Sequence, residues 1–271
     1  MRSHGLGNDY IVIDPRRVPF VVTPDAARLI CDRHRGVGSD GILVVDEPRG
    51  GDFGVRILNP DGSEAEKSGN GIRIFAKYLR EHGYTTADRF SIDTRGGRVP
   101  VELALRDGRV REVTADMGTV RFDALETVEV DGRVLPVTSL SIGNPHCVVI
   151  VDDLASVEVR TLGPEIERHR AFPARTNVQF AQVIARDHIR IEIWERGAGY
   201  TLASGTSSCA AVAACRRRGL VDDRVTVTMP GGDLDVTVGA GYTIRLRGPV
   251  EEIASGDLSD DLLRRLGAAA P

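Results

Sequence analysis

Several residue types are scarce in this chain of 271 residues, which has one tryptophan, four cysteines, 5% aromatic residues and only two lysines, Lys67 and Lys77. No apolar run approaches the roughly 20 residues that a membrane-spanning helix needs. The opening "MRSHGLGNDY" is polar and glycine-rich, without the charged-then-apolar pattern of a secretory signal. We therefore expect a cytoplasmic protein.

An excess of charge of one sign is also absent. The net charge is −4, from 35 basic and 39 acidic residues spread along the chain. Such a balance creates no field that attracts nucleic acid or a membrane surface, so we predict neither as a partner. The cysteines at 31, 147, 209 and 215 lack paired CxxC spacing, which argues against a zinc site, and a disulfide framework is not expected in a cytosolic chain of this size.

What the chain does contain is an internal repeat, within an ordinary globular composition of 41% hydrophobic residues. "SGNGIRIFAKYLREHGY" begins at Ser68 and "SGTSSCAAVAACRRRGL" begins 136 residues later, at Ser204. Asn8 in "GLGNDYIVID" and Asn144 in "SIGNPHCVVIVDD" have the same offset. The offset predicts two homologous halves, residues 1–116 and 117–251, with segment 252–271 packing back on the first.

The hydrophobic pattern predicts an α/β fold. Strands are expected at 9–14, 41–46, 54–59, 89–93, 99–105 and 110–117 in the first half, and at 147–153, 178–185, 188–195, 224–230, 234–241 and 242–248 in the second. Helices are expected at 24–33, 68–82, 160–169, 204–218 and 258–266. Because almost no residues precede "HGLGND", we expect either a shortened strand before that motif or a true start upstream of Met1.

Two of the predicted helices begin after a Ser-Gly pair. A helix N-terminus exposes backbone N–H groups and a partial positive charge, and carboxylates bind there. Ser68 and Ser204 taken singly are typical N-caps. Taken as a pair at matching repeat positions, they favour a site in which one group removes a proton beside a carboxylate and the other returns it from the opposite face.

Six ordered motifs carry a resemblance to a known family. They are "HGLGNDYIVID", "DRHRGVGSDGIL", "NPDGSEAEKSGNGIRIFAKY", "GNPHCVV", "FPARTNVQF" and "ERGAGYTLASGTSSCAA". In order and spacing the chain resembles diaminopimelate epimerases, amino-acid epimerases of lysine biosynthesis that act without pyridoxal phosphate. The resemblance implies two pseudo-symmetric α/β halves, each a mixed or antiparallel sheet wrapped around a central helix, with the active-site cleft between them and no cofactor. A homodimer is among the assemblies that it allows.

The resemblance also implies roles for individual residues. It gives Ser68 and Ser204 the catalytic positions, with His146 close to them. Its substrate-binding set comprises the two helix starts, at Gly69, Asn70, Gly205 and Thr206, and the side chains of Asn8, Asn59, Asn144, Asn177, Glu195 and Arg196. The combination of amide acceptors with a guanidinium suits the distal ammonium and carboxylate of diaminopimelate.

One departure bears on the chemistry, because the family's two catalytic residues are cysteines and this chain has serines. A thiol with a pKa near ~8.5 is drawn toward thiolate by a helix end, whereas an alcohol needs a partner base. His146 and Lys67 are candidates for that base, although a solvated surface position is expected for Lys67. Four alternatives follow: an epimerase with assisted serines, a relative with a different proton transfer such as an isomerisation or dehydration, an amino-acid-binding protein without catalysis, or an epimerase whose two cysteines were deliberately replaced to trap substrate. The last is disfavoured, because the other cysteines were left in place.

Overall fold

The structure, a computed structural model, describes residues 1–267 and divides the chain into two compact units. Unit 1 comprises Met1–Val113 and the C-terminal segment from Pro249, and unit 2 comprises Thr114–Gly248. The boundaries predicted from the sequence, after residues 116 and 251, lie three residues further along the chain in both cases. The last four residues of the predicted segment 252–271 lie outside the described residues.

The elements of the described residues follow in chain order. The helices are α1 (Pro24–Cys31), α2 (Gly69–Glu81), α3 (Val159–Glu167), α4 (Gly205–Arg217) and α5 (Asp260–Arg265). The strands are β1 (Arg2–Gly5), β2 (Asn8–Ile13), β3 (Ile42–Asp46), β4 (Phe53–Leu58), β5 (Glu64–Ala65), β6 (Arg89–Thr94), β7 (Gly97–Arg106), β8 (Arg109–Thr119), β9 (Arg121–Phe122), β10 (Thr127–Val130), β11 (Arg133–Pro136), β12 (Thr138–Ser141), β13 (Pro145–Ile150), β14 (Asn177–Ala185), β15 (His188–Glu195), β16 (Gly199–Tyr200), β17 (Arg224–Met229), β18 (Gly232–Val238), β19 (Thr243–Pro249) and β20 (Glu251–Ala254). No helix in this part of the chain has the length and apolarity to cross a membrane.

Unit 1 is a mixed sheet packed on a central helix. Strand β2 pairs in parallel with β3 and antiparallel with β1, and β4 pairs antiparallel with β3 and in parallel with β6. β1 also pairs with β20, which ties the C-terminal segment to this unit. Helix α2 packs against β1, β2 and β7. Leu258, Leu263 and Leu266 pack on a core that includes Ile11 and Ile30.

Unit 2 repeats this plan. β13 pairs in parallel with β14, β14 antiparallel with β15, and β15 in parallel with β17, while α4 packs against β13, β14, β15 and β18. The first eleven residues of α2 and of α4 are all buried. A helix surrounded in this way is stabilised mainly by packing rather than by helix propensity. The predicted fold, a mixed sheet around a central helix in each half, is confirmed.

The strand register follows the sequence repeat. Ile42 pairs with Ile11 in unit 1, and Val178 pairs with Cys147 in unit 2. Val178 lies 136 positions after Ile42, and Cys147 lies 136 positions after Ile11. Both central helices have 13 residues and begin directly after the repeated serine. Because a shift of one residue would turn every side chain to the other face of the sheet, an identical register places equivalent side chains on equivalent faces.

Strands β1, β5, β9–β12, β16 and β20 have no counterpart among the strands predicted from the sequence. β1 has four residues and includes His4 and Gly5 of "HGLGND". β10 and β11 form a hairpin around Asp131 and Gly132, which have positive φ angles of 49° and 71°. An Asp-Gly pair between alternating apolar residues is a strong hairpin signal, so the sequence did contain the information for this element.

Candidate active site

The start of α2 is built around Ser68. Its backbone is extended, with φ −138° and ψ 118°, and its Oγ accepts a hydrogen bond of 3.0 Å from the Gly71 amide. Ser68 is therefore an N-cap in the usual sense. The hydroxyl of Tyr10, on β2, lies 3.1 Å from the same Oγ. The serine thus has a second polar partner, which sequence spacing does not predict.

A chain of polar side chains continues behind this helix start. The Asn70 amide donates to Asn8 Oδ1 at 3.0 Å, and the Asn8 amide donates to Asp40 Oδ2 at 3.1 Å. Arg73 Nη2 donates to Asn70 Oδ1 at 2.9 Å, and Arg73 Nη1 donates to the Gly69 carbonyl at 3.1 Å. Both polar ends of the Asn70 side chain are thereby held, so its orientation is determined by the network.

Sequence reasoning did not single out Asp40 or Arg73. Arg73 is fully buried in α2, and its guanidinium adds positive charge close to a helix end that already favours anions. The sequence contains a signal for Arg73, because it is a charged residue between Ile72 and Ile74 in a helix that must be buried. Isolated charges are seldom buried without a specific partner, so a partner for Arg73 was to be expected. Burial raises the pKa of the Asp40 carboxyl, while the neighbouring Arg33 acts in the opposite direction.

Ser204 occupies the equivalent position at the start of α4, with φ −146° and ψ 121°. It is 3% exposed, and its Oγ accepts from the Ser207 amide at 3.4 Å. The Ser204 hydroxyl donates to Oε1 of Glu195 at 2.6 Å. A distance this short is typical of a hydrogen bond to an ionised carboxylate. Ser204 is therefore hydrogen-bonded to a carboxylate, a group that can act as the partner base of an alcohol.

His146 lies on β13 and is completely buried, with Nε2 3.0 Å from Asn144 Oδ1. Because Oδ1 only accepts, Nε2 carries the proton in this contact. Within residues 1–267, Nδ1 has no hydrogen-bond partner. Burial lowers the pKa of His146 to about 3, in spite of the nearby Gln179 amide. The ring is neutral near pH 7 and is a weak base, which disfavours His146 as the group that removes an α-proton.

The neighbouring amides extend from this ring. Asn144 donates to Thr206 Oγ1 at 3.4 Å, which is the counterpart in unit 2 of the contact between Asn70 and Asn8. Asn177 donates to the Pro145 carbonyl at 2.9 Å and accepts from the Arg196 amide at 3.0 Å. Unit 2 therefore brings together most of the residues that the resemblance implied for it.

A buried carboxylate supports the turn that carries Arg196. Glu167, the last residue of α3, accepts from Trp194 Nε1 at 2.8 Å and from the Gly197 amide at 3.4 Å. The Arg196 guanidinium reaches the Ala174 carbonyl at 3.2 Å. Glu167 was not among the predicted residues, because its role depends on contacts between α3 and the end of β15 that no local pattern reports.

Asn59 makes no hydrogen bond with the other predicted residues of unit 1 among the hydrogen bonds described. It follows the end of β4, and its side-chain amide donates to Ser63 Oγ at 2.9 Å. Its repeat counterpart, 136 positions later, is Glu195. The two equivalent strand ends therefore carry an amide in one unit and a carboxylate in the other.

The expectation that Lys67 is a solvated surface residue is wrong, since the side chain is 6% exposed. The segment before α2 lies against the turn between β6 and β7, where the Gly96 amide donates to the Glu66 carbonyl at 2.7 Å. A Cβ at Gly96 would lie 3.3 Å from Lys67 Cβ. This close approach covers Lys67, which sequence position alone does not reveal.

The four cysteines are buried, and none of them forms a disulfide. Burial raises the pKa of Cys147 and of Cys215 to about 12, and it raises the pKa of Cys31 as well. Such thiols are not thiolates near neutral pH and cannot stand in for the family's catalytic pair. Among residues 1–267, no three His, Cys, Asp or Glu side chains are grouped so as to hold a metal ion.

Comparisons with known proteins identify the family. The family model described as diaminopimelate epimerase matches residues 1–122 and 138–250. The unmatched interval contains the hairpin of β10 and β11. "Diaminopimelate epimerase 2" of Nostoc sp. strain PCC 7120 is 45% identical over 96% of this chain and 95% of its own length. The diaminopimelate epimerase of Pelotomaculum thermopropionicum is 44% identical over 94% of this chain and 97% of its own length.

Solved structures share the fold at low identity. A hydroxyproline epimerase from Agrobacterium vitis, crystallised with trans-4-hydroxy-L-proline, gives a TM-score of 0.76 at 17% identity over 94% of this chain and 90% of that one. A predicted epimerase from Pseudomonas aeruginosa gives 0.70 at 16% identity, over 95% and 97%. The family model and the curated relatives define an isomerase of the epimerase class. The chain belongs to the diaminopimelate epimerase family.

Proposed function

We propose that this protein interconverts LL- and meso-2,6-diaminopimelate, a precursor of lysine and peptidoglycan, by proton transfer at one α-carbon without a cofactor. The names of relatives that are 37–45% identical over nearly the whole chain support the substrate. The two serine-capped helix starts support the reaction, because each presents backbone N–H groups suited to a carboxylate.

The observation that carries the proposal is the 2.6 Å hydrogen bond from Ser204 to Glu195. A helix end stabilises an anion by ~0.3–1 kcal/mol, and up to ~2 kcal/mol when partly buried, which is too little to ionise an alcohol. A carboxylate supplies what the helix end cannot. As Ser204 Oγ accepts the α-proton, its own proton passes to Glu195, and the electron pair of the C–H bond stays on the α-carbon.

The other predicted residues bind and orient the substrate in this proposal. Within each unit the helix start offers backbone N–H groups to a carboxylate, at Gly69 and Asn70 in unit 1 and at Gly205 and Thr206 in unit 2. Arg196 forms the guanidinium fork for the distal carboxylate, and Asn59 and Asn177 accept from the distal ammonium.

His146 is then a positioning residue. Its neutral ring donates to Asn144 at 3.0 Å and fixes the rotamer of that amide, which in turn contacts Thr206. The histidine holds a part of the site that binds the substrate, and it exchanges no proton with it.

We also assign the protein to the cytoplasm. Four buried cysteines, none of them in a disulfide, support this, because thiols persist in reducing compartments. The proposed reaction, on a precursor amino acid, belongs in the same compartment.

The test is incubation with LL-diaminopimelate in heavy water, followed by chiral chromatography and mass spectrometry. The expected result is meso product carrying one deuterium at the inverted α-carbon. Glu195→Gln should lower the rate by a factor of about 100 or more, the usual contribution of a positioned base. Glu192→Gln is the matched control, because Glu192 lies on the same strand and bonds Tyr200 instead of Ser204.

Three results would contradict the proposal. Binding detected by calorimetry without deuterium exchange would identify an amino-acid-binding protein. Release of water or of a positional isomer would identify a different proton transfer. Full activity in Glu195→Gln would remove the carboxylate from the mechanism.

A further inference from the structure

A phenol lies against the serine at the start of α2. The Tyr10 hydroxyl is 3.1 Å from Ser68 Oγ, and the tyrosine side chain is buried in β2. Ser68 Oγ also accepts from the Gly71 amide at 3.0 Å. If Tyr10 donates as well, both lone pairs of the serine oxygen are occupied and its proton is directed away from both donors.

The position of this phenol is tightly constrained. Gly41, the residue before β3, leaves room for the ring, since a Cβ there would lie 2.6 Å from Tyr10 Cε1. Tyr10 also pairs with Ser3 across β1 and β2. The hydroxyl is therefore held close to Ser68 by packing on the ring and by sheet register, without dependence on a flexible chain.

The equivalent contact is absent from the hydrogen bonds described for unit 2. The counterpart of Tyr10 is His146, whose Nε2 bonds Asn144, and Ser204 instead donates to Glu195. The counterpart of Glu195 is Asn59, which bonds Ser63. The two serines therefore have chemically opposite partners: a carboxylate that accepts a proton beside Ser204, and a phenol that can donate one beside Ser68.

We propose that Tyr10 is the proton donor of the Ser68 half of the site, acting through Ser68 on the α-carbanion of the amino-acid substrate. The inference rests on the proposed function. In this step the Ser68 O–H bond breaks as the new C–H bond forms. The Tyr10 O–H proton then moves to Ser68 Oγ, and the negative charge passes from the carbon to the phenol oxygen, which regains its proton from water. A phenol accepts this charge far more readily than an alcohol does.

The first test replaces Tyr10 with phenylalanine, which keeps the ring and removes the hydroxyl. We expect kcat for epimerisation to fall by a factor of at least about ten, with KM within about twofold. The epimer whose α-hydrogen faces Ser204 should still exchange that hydrogen for deuterium with retention. Tyr84→Phe is the matched control, because its hydroxyl bonds Tyr78 and Asp14. Unchanged kcat in Tyr10→Phe would overturn the inference.

The second test needs no turnover. Ser68→Cys places a thiol beside the phenol, and its alkylation by iodoacetamide is followed against pH with and without Tyr10→Phe. A donated hydrogen bond favours the thiolate, so the alkylation midpoint should lie lower when Tyr10 is present. Equal midpoints would overturn the coupling whatever the activity. A shifted midpoint in a protein whose unmodified form shows no exchange would overturn the proposed function and leave the proton coupling standing.

Discussion

His146 should make unit 2 sensitive to mild acid. Its pKa is about 3 in the folded protein because of burial, compared with about 6.5 in an unfolded chain. Between these values the unfolded chain binds a proton that the folded protein excludes. The contribution of the neutral ring to stability is therefore fully present above pH 6.5 and is lost as the pH falls toward 3.

The size of the effect follows from the shift. Each pKa unit corresponds to about 1.36 kcal/mol, so the shift of His146 corresponds to about 5 kcal/mol at the acid limit and to about 2 kcal/mol between pH 7 and pH 5. In His146→Gln this dependence disappears. Asp14, whose pKa is lowered to about 2, also contributes to stability, but this contribution is lost only as the pH falls below the ordinary pKa of an aspartate. The loss is the same in both proteins, so it does not affect the difference between them.

The measurement is urea unfolding at pH 7, 6 and 5, followed by the fluorescence of Trp194, the single tryptophan, which lies in the same unit as His146. The wild-type protein should be more stable than His146→Gln at pH 7, and this advantage should shrink by about 2 kcal/mol at pH 5. If the difference between the two proteins is the same at all three pH values, the ring is not held neutral by burial and the reasoning is refuted.

Further predictions concern the ligand, the catalytic groups and the core. Arg196→Ala should weaken diaminopimelate binding by ~1.5–3 kcal/mol by calorimetry, and Arg196→Lys should recover only part of this; unchanged affinity would remove Arg196 from the site. Ser68→Cys combined with Ser204→Cys should raise α-proton exchange in heavy water by a factor of about 100 or more, and each single change should do less; a rate no higher than that of the unmodified protein would contradict this. Lys77→Met should lower the free energy of unfolding by about 3 kcal/mol, because it breaks a buried pair in which Lys77 Nζ lies 2.7 Å from Glu81; a cost below about 1 kcal/mol would show that the pair contributes little.

The backbone of the site was predictable from the sequence, for a physical reason. A glycine after a serine cap, followed by a long apolar pattern, marks a helix start from local preferences alone, and both helices begin where those signals stand. The repeated offset then predicted that segments 136 residues apart are structurally equivalent, because equal spacing of strands and helices produces equal strand register. The Asp131-Gly132 hairpin shows that some local information was present and was missed.

The partners of the two serines were not predictable in the same way. Glu195 reaches Ser204 because β15 turns back on itself at β16, with Glu195 opposite Gly199. The Tyr10 hydroxyl reaches Ser68 because Gly41 leaves space for the ring. Both contacts are determined by packing between elements, and the spacing of residues along the sequence contains no information about that packing. The same limit explains why a buried Lys67 looked like a surface residue.

The two halves differ in the partner of the helix-start serine, and this difference has a chemical reason. Two thiols with pKa values near neutrality can each give or take a proton, so a site built on them can be symmetric. Two alcohols cannot, because neither ionises near pH 7. A reaction that removes a proton from one face and returns it to the other then needs a base on one side and an acid on the other. The carboxylate of Glu195 and the phenol of Tyr10 meet these opposite requirements. Their repeat counterparts, Asn59 and His146, do not contact a helix-start serine in the hydrogen bonds described. In this view the two substitutions to serine and the two different partners depend on each other, because serines at both positions require a base beside one and an acid beside the other.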